Sequence, residues 1–381
     1  MKTIQQTFSV PFEYTVHFSN YIFDKSNPIF AQIVRNHRRP KIFFVIDEGV
    51  AVAHPSIFEQ IRTYAEAYAK DFTLCADPLV VPGGEEVKND RLYVEQILEA
   101  SNTYGIDRHS FIVAIGGGAV LDMAGFATAI AHRGIRHIRI PTTVLAQNDS
   151  GIGVKNSINS FGKKNFVGTF APPYAVLNDS TFLDTLDDKD WRSGISEAVK
   201  VALIKDASFF EWIEVHATKL AGREMPAMEE LIYRCAKMHL DHIAGGDPFE
   251  QGSSRPLDFG HWAAHKLEQL TNYQLRHGEA VAIGISLDTT YSFLKGSISE
   301  EVLHRVINLF KKLGFAVHIS ELSGTNILKG LEEFREHLGG ELTIMLIDAF
   351  GHGVEVHQMD NGLIADAVEK LKEFEDNEFT A

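Results

Sequence analysis

The chain has 381 residues, 45% of them apolar and 23% charged, which is enough for two domains with a sizeable core each. Its 51 acidic against 36 basic side chains leave a net charge of -15, which argues against nucleic acid or an anionic membrane surface as the main partner. A phosphorylated small molecule stays compatible where Lys and Arg cluster locally. Cys75 and Cys235 are the only cysteines and lie far apart, as expected of reduced thiols in a cytoplasmic protein. The stretch Met1 to Gln6 lacks the apolar core of a signal peptide, and no apolar run reaches the roughly 18 residues of a membrane span. A soluble, cytoplasmic protein is the expectation.

In chain order, residues 1–185 alternate β runs with helical segments. Lys41 to Ile46 reads as a buried strand ending at Asp47, and residues 71–81 contain another, broken by Pro82-Gly83-Gly84. Tyr93 to Tyr104 has helical spacing, Ser110 to Ile115 is a strand, Ala119 to His132 a helix, and Ile138 to Ile140 a strand before Pro141. Such alternation predicts a parallel α/β sheet covered on both faces. From about Asp187 helical patterns dominate, over 188–204, 207–222, 226–243, 260–271, 278–295, 299–313 and 324–337. A strand pair follows at 341–347 and 353–357, and Phe374 to Ala381 reads as a frayed acidic end. The domain boundary is expected near residue 185, giving 1–185 and 186–381.

Gly116-Gly117-Gly118, after an apolar strand and before Asp122, allows backbone to approach a pyrophosphate at a helix N-terminus. It is not the GxGxxG fingerprint, and a tight turn without ligand explains it as well. Asp47, at a strand end, stands where an acid reaches a ribose hydroxyl, or caps a helix. Pro82 to Lys88 is a second Gly-rich turn, equally readable as solvated. Together the three favour a nucleotide.

Ile140-Pro141-Thr142-Thr143 opens a stretch of small residues running through Asp149 to Gly153, Lys155, Lys163, Lys164 and Asn165. Spaced lysines among small residues suit a loop wrapped round a phosphate, or a basic surface loop. Arg133 and Lys200 add cations, and Lys200 lies three residues after Glu197 on one helix face. Glu197, His261 and His277 each sit in a local pattern that suits a divalent metal ligand: one carboxylate and two imidazoles leave positions open for water or substrate. His265 follows His261 by one helical turn, on the same wall. With 17 histidines present, spacing alone does not make the trio meet.

Taken together, these segments resemble the sugar phosphate cyclase superfamily, whose best-known member is 3-dehydroquinate synthase. The carrying motifs are Gly-Gly-Gly-x-x-x-Asp at 116–122, Arg133-Gly134, Pro-Thr-Thr-x-Leu-Ala-Gln at 141–147, Gly153-x-Lys155, Lys164-Asn165, Ser196-Glu197-x-x-Lys200, Phe259-Gly260-His261 and His277-Gly278-Glu279-Ala280-Val281. The resemblance implies an α/β N-terminal NAD-binding domain, a mostly α-helical C-terminal metal-binding domain holding Zn²⁺ or Co²⁺, and a homodimer. Carried over by position, Asp47, Glu85, Lys88, Gly117, Gly118, Asp122, Thr142, Thr143, Lys164 and Thr185 would contact NAD. Glu197, His261 and His277 would bind the metal, while Arg133, Asp149, Lys155, Asn165, Lys200, Arg255 and His265 would surround substrate and phosphate.

Two departures choose the branch. Dehydroquinate synthases have Asn where this chain has Asp258, and a C-terminal lysine where it has His337. Arg-Pro-Leu-Asp-Phe-Gly-His at 255–261 and Arg-Glu-His-Leu-Gly-Gly at 335–340 are similar to cyclases of the 2-epi-5-epi-valiolone synthase type, which act on sedoheptulose 7-phosphate; His265 departs from many of them and leaves an epimeric product open. A dehydroquinate synthase must hold a substrate carboxylate, for which Lys is a strong partner and Asp a repulsive one. The expected activity is therefore a lyase that eliminates phosphate from a heptulose phosphate through transient oxidation by NAD. The alternatives are 3-dehydroquinate synthase and an NAD-dependent polyol dehydrogenase.

Overall fold

Strands that lie inside a sheet covered on both faces need apolar residues at every position, and the runs at 41–47 and 111–116 meet that requirement. In a computed structural model, which describes residues 2–35, 39–249, 257–324, 326–337 and 342–376, both are buried almost throughout. The chain divides into two units, Met1–Pro141 with Gly153–Asp179, and Thr142–Ile152 with Ser180–Ala381.

The strands of the first unit are β1 (Thr15–Ser19), β2 (Lys41–Asp47), β3 (Thr73–Leu74), β4 (Leu79–Val81), β5 (Phe111–Gly116), β6 (Arg136–Pro141), β7 (Lys155–Ser160), β8 (Lys163–Phe170) and β9 (Ala175–Asp179). Its helices are α1 (Ile29–Val34), α2 (Glu48–Ala53), α3 (Ile57–Ala67), α4 (Leu92–Thr103) and α5 (Gly118–Ile130). One parallel sheet runs β1-β9-β6-β5-β2-β3, with β4 also beside β2.

Several features differ from the sequence expectation. The stretch 71–81 holds two short strands, paired with opposite ends of β2. α5 stops at Ile130, because His132, Arg133 and Gly134 take positive φ values of 50°, 64° and 115°. The lysine-bearing segment is not a loop but an antiparallel hairpin of β7 and β8. Its two turn residues, Phe161 and Gly162, have φ of 55° and 71°, as the tightest hairpins require. β1 and β9 are additions that no long apolar run announced.

The second unit contains α6 (Asp188–Lys205), α7 (Ala207–Ala221), α8 (Met225–Ala244), α9 (His261–Leu270), α10 (His277–Leu294), α11 (Glu300–Lys312), α12 (Asn326–His337) and α13 (Asn361–Asp376), with the antiparallel pair β10 (Ile344–Ala349) and β11 (His352–Val356). The expected helices are there, within two residues at each end. α13 replaces part of the frayed end; Ile364, Ala367, Val368 and Leu371 bury one face at helical spacing. Residues 377–381 lie outside the described residues. Thr142–Ile152 contributes a single π turn at Ala146–Ser150.

Glycine decides how closely these helices meet. Gly260, at φ 77°, packs on Gly284, and a Cβ on Gly260 would lie 2.5 Å from the Ile285 nitrogen. A Cβ on Gly278 would lie 2.1 Å from the Ser193 carbonyl oxygen. α9 and α6 are thereby each drawn onto α10. Among the described residues, no helix is long and apolar enough to cross a membrane.

Candidate metal centre and cofactor cradle

In the second unit α6, α9 and α10 each contribute one group to a common point. Glu197 comes from the middle of α6, where its side chain is fully buried, and His261 and His277 are the first residues of α9 and α10. One ligand atom from each lies within 4.8 Å of the others. Glu197 Oε1 stands 3.4 Å from His277 Nε2 and 3.6 Å from His261 Nε2. No hydrogen bond of good geometry reaches this buried oxygen among the described residues. A buried carboxylate so placed calls for a cation, and one oxygen with two imidazole nitrogens is a donor set for Zn²⁺ or Co²⁺.

The electrostatics agree. Burial works to raise the Glu197 carboxyl, but the Lys200 ammonium and both imidazoles hold it well below the usual carboxylate range. Burial and the Lys200 charge push His261 well down, so its ring is neutral, as a ligand must be. His277 is instead raised to about 10: burial opposes, but Glu197 and Glu268 prevail.

Groups that the sequence reading did not single out brace these three side chains. His261 Nδ1 donates to the Phe259 carbonyl at 3.1 Å, leaving Nε2 for a metal. Glu268, buried on α9, sets its Oε2 3.4 Å from His277 Nδ1. Its signal was available, since Glu268 stands seven residues, two turns, after His261. Asp288 of α10 accepts from Gly260 N at 3.0 Å and Trp262 Nε1 at 2.8 Å, clipping the start of α9 to α10; burial raises its carboxyl to about 7.

Beside Glu197, Lys200 makes a close ion pair with that carboxylate, and its ammonium lies 4.0 Å from Asp149 Oδ2. Burial works against the Lys200 charge, but Glu197, Asp149 and Asp258 prevail and hold it protonated. Asp149 belongs to the π turn, which Asn148 fastens to α6 by donating to the Gly194 carbonyl at 2.6 Å. His239 of α8, another group the sequence reading passed over, places Nδ1 3.4 Å from Asp149 Oδ1. The His265 ring lies 5.6 Å from that of His261 and 6.2 Å from that of His277. Thr143 Oγ1 accepts from Ala146 N at 3.1 Å, Thr142 is buried, and Thr185 Oγ1 donates to the Phe182 carbonyl at 3.3 Å. Arg255 and the side chain of His337 lie outside the described residues.

In the first unit, Asp47 caps α2, accepting from Gly49 N at 2.8 Å; burial raises its carboxyl against those backbone bonds. Gly83 packs onto it so tightly that a Cβ would come within 2.5 Å of Oδ1. Gly117 caps α5 without a capping side chain of its own, no acid stands in the first turn, and the Gly117 amide bonds the Asp47 carboxylate, so an anion at this helix start would meet Gly118 and the residues after it. Nearby, Lys88 donates to Asp122 at 2.9 Å, lies 3.8 Å from Glu85, and bonds the Asn165 amide oxygen. Ser157 Oγ donates to that same Asn165 oxygen at 2.8 Å. Lys155 opens β7, exposed, and Lys164 is half-buried on β8; Arg133 is exposed in the left-handed turn after α5. Arg139, buried on β6 and missed by the sequence reading, holds the backbone at Lys155 by donating to its carbonyl at 2.9 Å and to that of Gly153 at 2.8 Å.

Comparison with known proteins gives a consistent picture. Residues 78–193 match the family model for the 3-dehydroquinate synthase N-terminal region, and residues 194–335 that for the C-terminal region. A 3-dehydroquinate synthase from Nitrosospira multiformis is 37% identical over 292 residues, covering 76% of this chain and 79% of its own. The structure of ValA, a 2-epi-5-epi-valiolone synthase from Streptomyces hygroscopicus subsp. jinggangensis with NAD⁺ and Zn²⁺ bound, superposes with a TM-score of 0.88 at 27% identity, over 97% of this chain and 99% of its own. A 2-deoxy-scyllo-inosose synthase with carbaglucose-6-phosphate, NAD⁺ and Co²⁺ shares the fold at a TM-score of 0.77 and 23% identity, over 93% and 96%.

Proposed function

This chain belongs to the 3-dehydroquinate synthase family of sugar phosphate cyclases, and on that premise we propose that it converts a heptulose phosphate, sedoheptulose 7-phosphate in the first instance, to a cyclitol of the 2-epi-5-epi-valiolone type or an epimer, releasing phosphate. The observation that carries this choice is the charge around Lys200. Three carboxylates, Glu197, Asp149 and Asp258, act on that one ammonium. Three negative charges against Lys200 and a divalent cation sum to zero, so no surplus positive charge is left there for a substrate carboxylate. A neutral ketose end fits such a pocket, and a carboxylate would meet Asp258.

The proposed cofactors are NAD and Zn²⁺ or Co²⁺. When bound, NAD supplies a transient hydride acceptor, and the metal a Lewis acid that acidifies the hydroxyl to be oxidised, so that no net oxidation results. Residues 1–185 form the cofactor half: Asp47 reaches the ribose, the helix start at Gly117 and Gly118 takes the pyrophosphate, and Glu85, Lys88, Asp122 and Lys164 orient the dinucleotide, with Thr142, Thr143 and Thr185 beside it. Residues 186–381 form the metal half, with Glu197, His261 and His277 as ligands. Lys155, Asn165, Arg133, Lys200 and Arg255 hold the substrate phosphate as its C–O bond breaks, while Asp149 fixes Lys200 and His265 moves a proton to solvent. Asp258 and His337 select a substrate end without charge. The place of action is the cytoplasm.

The second reading, 3-dehydroquinate synthase, is favoured by the names of relatives such as the 37% identical Nitrosospira protein. A polyol dehydrogenase is the third. The deciding experiment supplies NAD and Zn²⁺ or Co²⁺ and compares phosphate release from sedoheptulose 7-phosphate and from the heptulosonate phosphate precursor of 3-dehydroquinate. The valiolone reading expects release from the first without NADH accumulation; release only from the second supports the second reading, and steady NADH formation the third.

A further inference from the structure

From Lys155–Phe170 to Ile158–Val167 the strands β7 and β8 pair residue for residue, but nearer the turn they do not. The next pair is Ser160 with Lys163, so Asn159 of β7 stands against three residues of β8, Lys164, Asn165 and Phe166. A bulge of this kind re-aims the side chains it carries, here Lys164 and Asn165. Asn165 takes a φ of 55°, in the left-handed region that disfavours residues with a Cβ, Asn least among them. Asn159 supports it there, its Oδ1 accepting from the Asn165 backbone N–H at 2.9 Å. The other end of the same amide donates twice, to Glu85 Oε1 and to Asn89 Oδ1, each at 2.9 Å. One half-buried side chain thus joins the bulge to the turn that bears Glu85 and Lys88, all within the first unit.

We propose that Asn159 is a positioning residue, which aims Asn165 at the substrate phosphate and ties that aim to the dinucleotide side of the site. The inference rests on the cofactor and phosphate roles proposed for Glu85, Lys88 and Asn165, and not on which sugar phosphate is the substrate. The Lys88 ammonium has only donors to offer, so the Asn165 atom it meets is the amide oxygen, which Ser157 Oγ also meets at 2.8 Å. The Asn165 amide nitrogen is therefore the end that can donate to a phosphate oxygen. Asn165 hangs from the turn at 85–88 twice, directly through Lys88 and at one remove through Asn159 and Glu85. Lys88 is itself buried and held by Asp122 at 2.9 Å, which stiffens the network. The chemistry of Asn159 fits this place: its two donors meet two oxygens and its acceptor meets an N–H, a set that neither a carboxylate nor a hydroxyl supplies. A dinucleotide that orders Glu85 and Lys88 then orders Asn165 as well, so phosphate binds a group already in place. By linkage the effect is reciprocal, and bound phosphate tightens the dinucleotide equally.

The test is titration calorimetry of the full Zn²⁺-supplemented chain, with NAD and inorganic phosphate as the probes and a thermal melt of each variant alongside. Inorganic phosphate is expected to bind the wild type at least about fivefold more tightly at saturating NAD than without it, and NAD to gain the same factor from phosphate. Asn159→Ala is expected to bring that factor below about twofold. Asn159→Asp keeps the acceptor for Asn165 but sets a carboxylate against Glu85, and is expected to lose the coupling as well. A merely structural Asn159 would lower the melting temperature and weaken both ligands yet leave the factor unchanged, and that result overturns the proposal. A wild-type factor below about twofold overturns it too. Asn165→Ala separates this inference from the reading beneath it. Phosphate affinity that does not fall in that variant removes Asn165 from the phosphate site, and the proposal with it. A fall there beside intact coupling in both Asn159 variants overturns the inference alone.

Discussion

Glu268 Oε2 lies 3.4 Å from His277 Nδ1, while Nε2 of the same ring faces Glu197 at 3.4 Å. A carboxylate behind a ligand imidazole fixes ring orientation and makes the metal-facing nitrogen more basic. Glu268→Gln keeps the shape and removes the charge. Its affinity for Zn²⁺ or Co²⁺, measured by competition with a chromophoric chelator, is expected to fall about 10- to 100-fold. An unchanged affinity would show that Glu268 serves packing alone.

Proton and metal compete at His277. Without metal its folded-state value is about 10 against an ordinary 6.5, so the protonated ring contributes stability that is full below about 6.5 and lost as pH rises through about 10. Metal affinity has the opposite slope and is expected to climb with pH over that window. Titration calorimetry in buffers of different ionisation enthalpy at pH 8 should show about one proton released per metal bound. Zero release would contradict the charge state assigned to His277.

Metal binding to the trio should also be visible as stability. Adding Zn²⁺ at a hundredfold excess over its dissociation constant is expected to stabilise the chelator-treated protein by about 2.7 kcal/mol, read as a rise in Tm. Glu197→Gln should abolish most of that rise. A full rise in the variant would place the metal elsewhere.

Gly260 tests how the helices converge. Gly260→Ala meets both a φ of 77° and the Ile285 nitrogen 2.5 Å from the new Cβ, and should cost about 2–5 kcal/mol in denaturant unfolding. Gly296→Ala shares the positive φ, at 80°, but opens on empty space, and should cost only about 1–2 kcal/mol. Equal costs would mean that close approach is not what selects glycine at 260.

The convergence of Glu197, His261 and His277 follows from recognisable local positions, Glu197 on a helix with Lys200 one turn on and His261 and His277 at helix starts, and their metal-binding role stays a proposal. The buried strands β2 and β5 were legible because a sheet covered on both faces demands continuous apolar runs. β7 and β8 were not, because small and charged residues obscure a hairpin whose register is set by two positive-φ turn residues at 161 and 162. Glu268, Asp288, His239 and Arg139 went unread for a different reason. Their roles depend on partners 9 to 90 residues away, and only Glu268, two turns after His261, had a local spacing that could have pointed to it.

Asp258 is the residue on which the substrate reading turns. Asp258→Asn is expected to raise kcat/KM for the heptulosonate phosphate relative to the heptulose phosphate by about tenfold, the equivalent of about 1.4 kcal/mol. An unchanged ratio would remove the charge argument.

The most direct test of the account is phosphate release by the NAD- and Zn²⁺-supplemented protein given sedoheptulose 7-phosphate, with absorbance at the NADH band followed in the same cuvette. Phosphate is expected to appear at steady rate while NADH stays at the level of the enzyme. No phosphate from this substrate, with turnover on the heptulosonate phosphate instead, would contradict it.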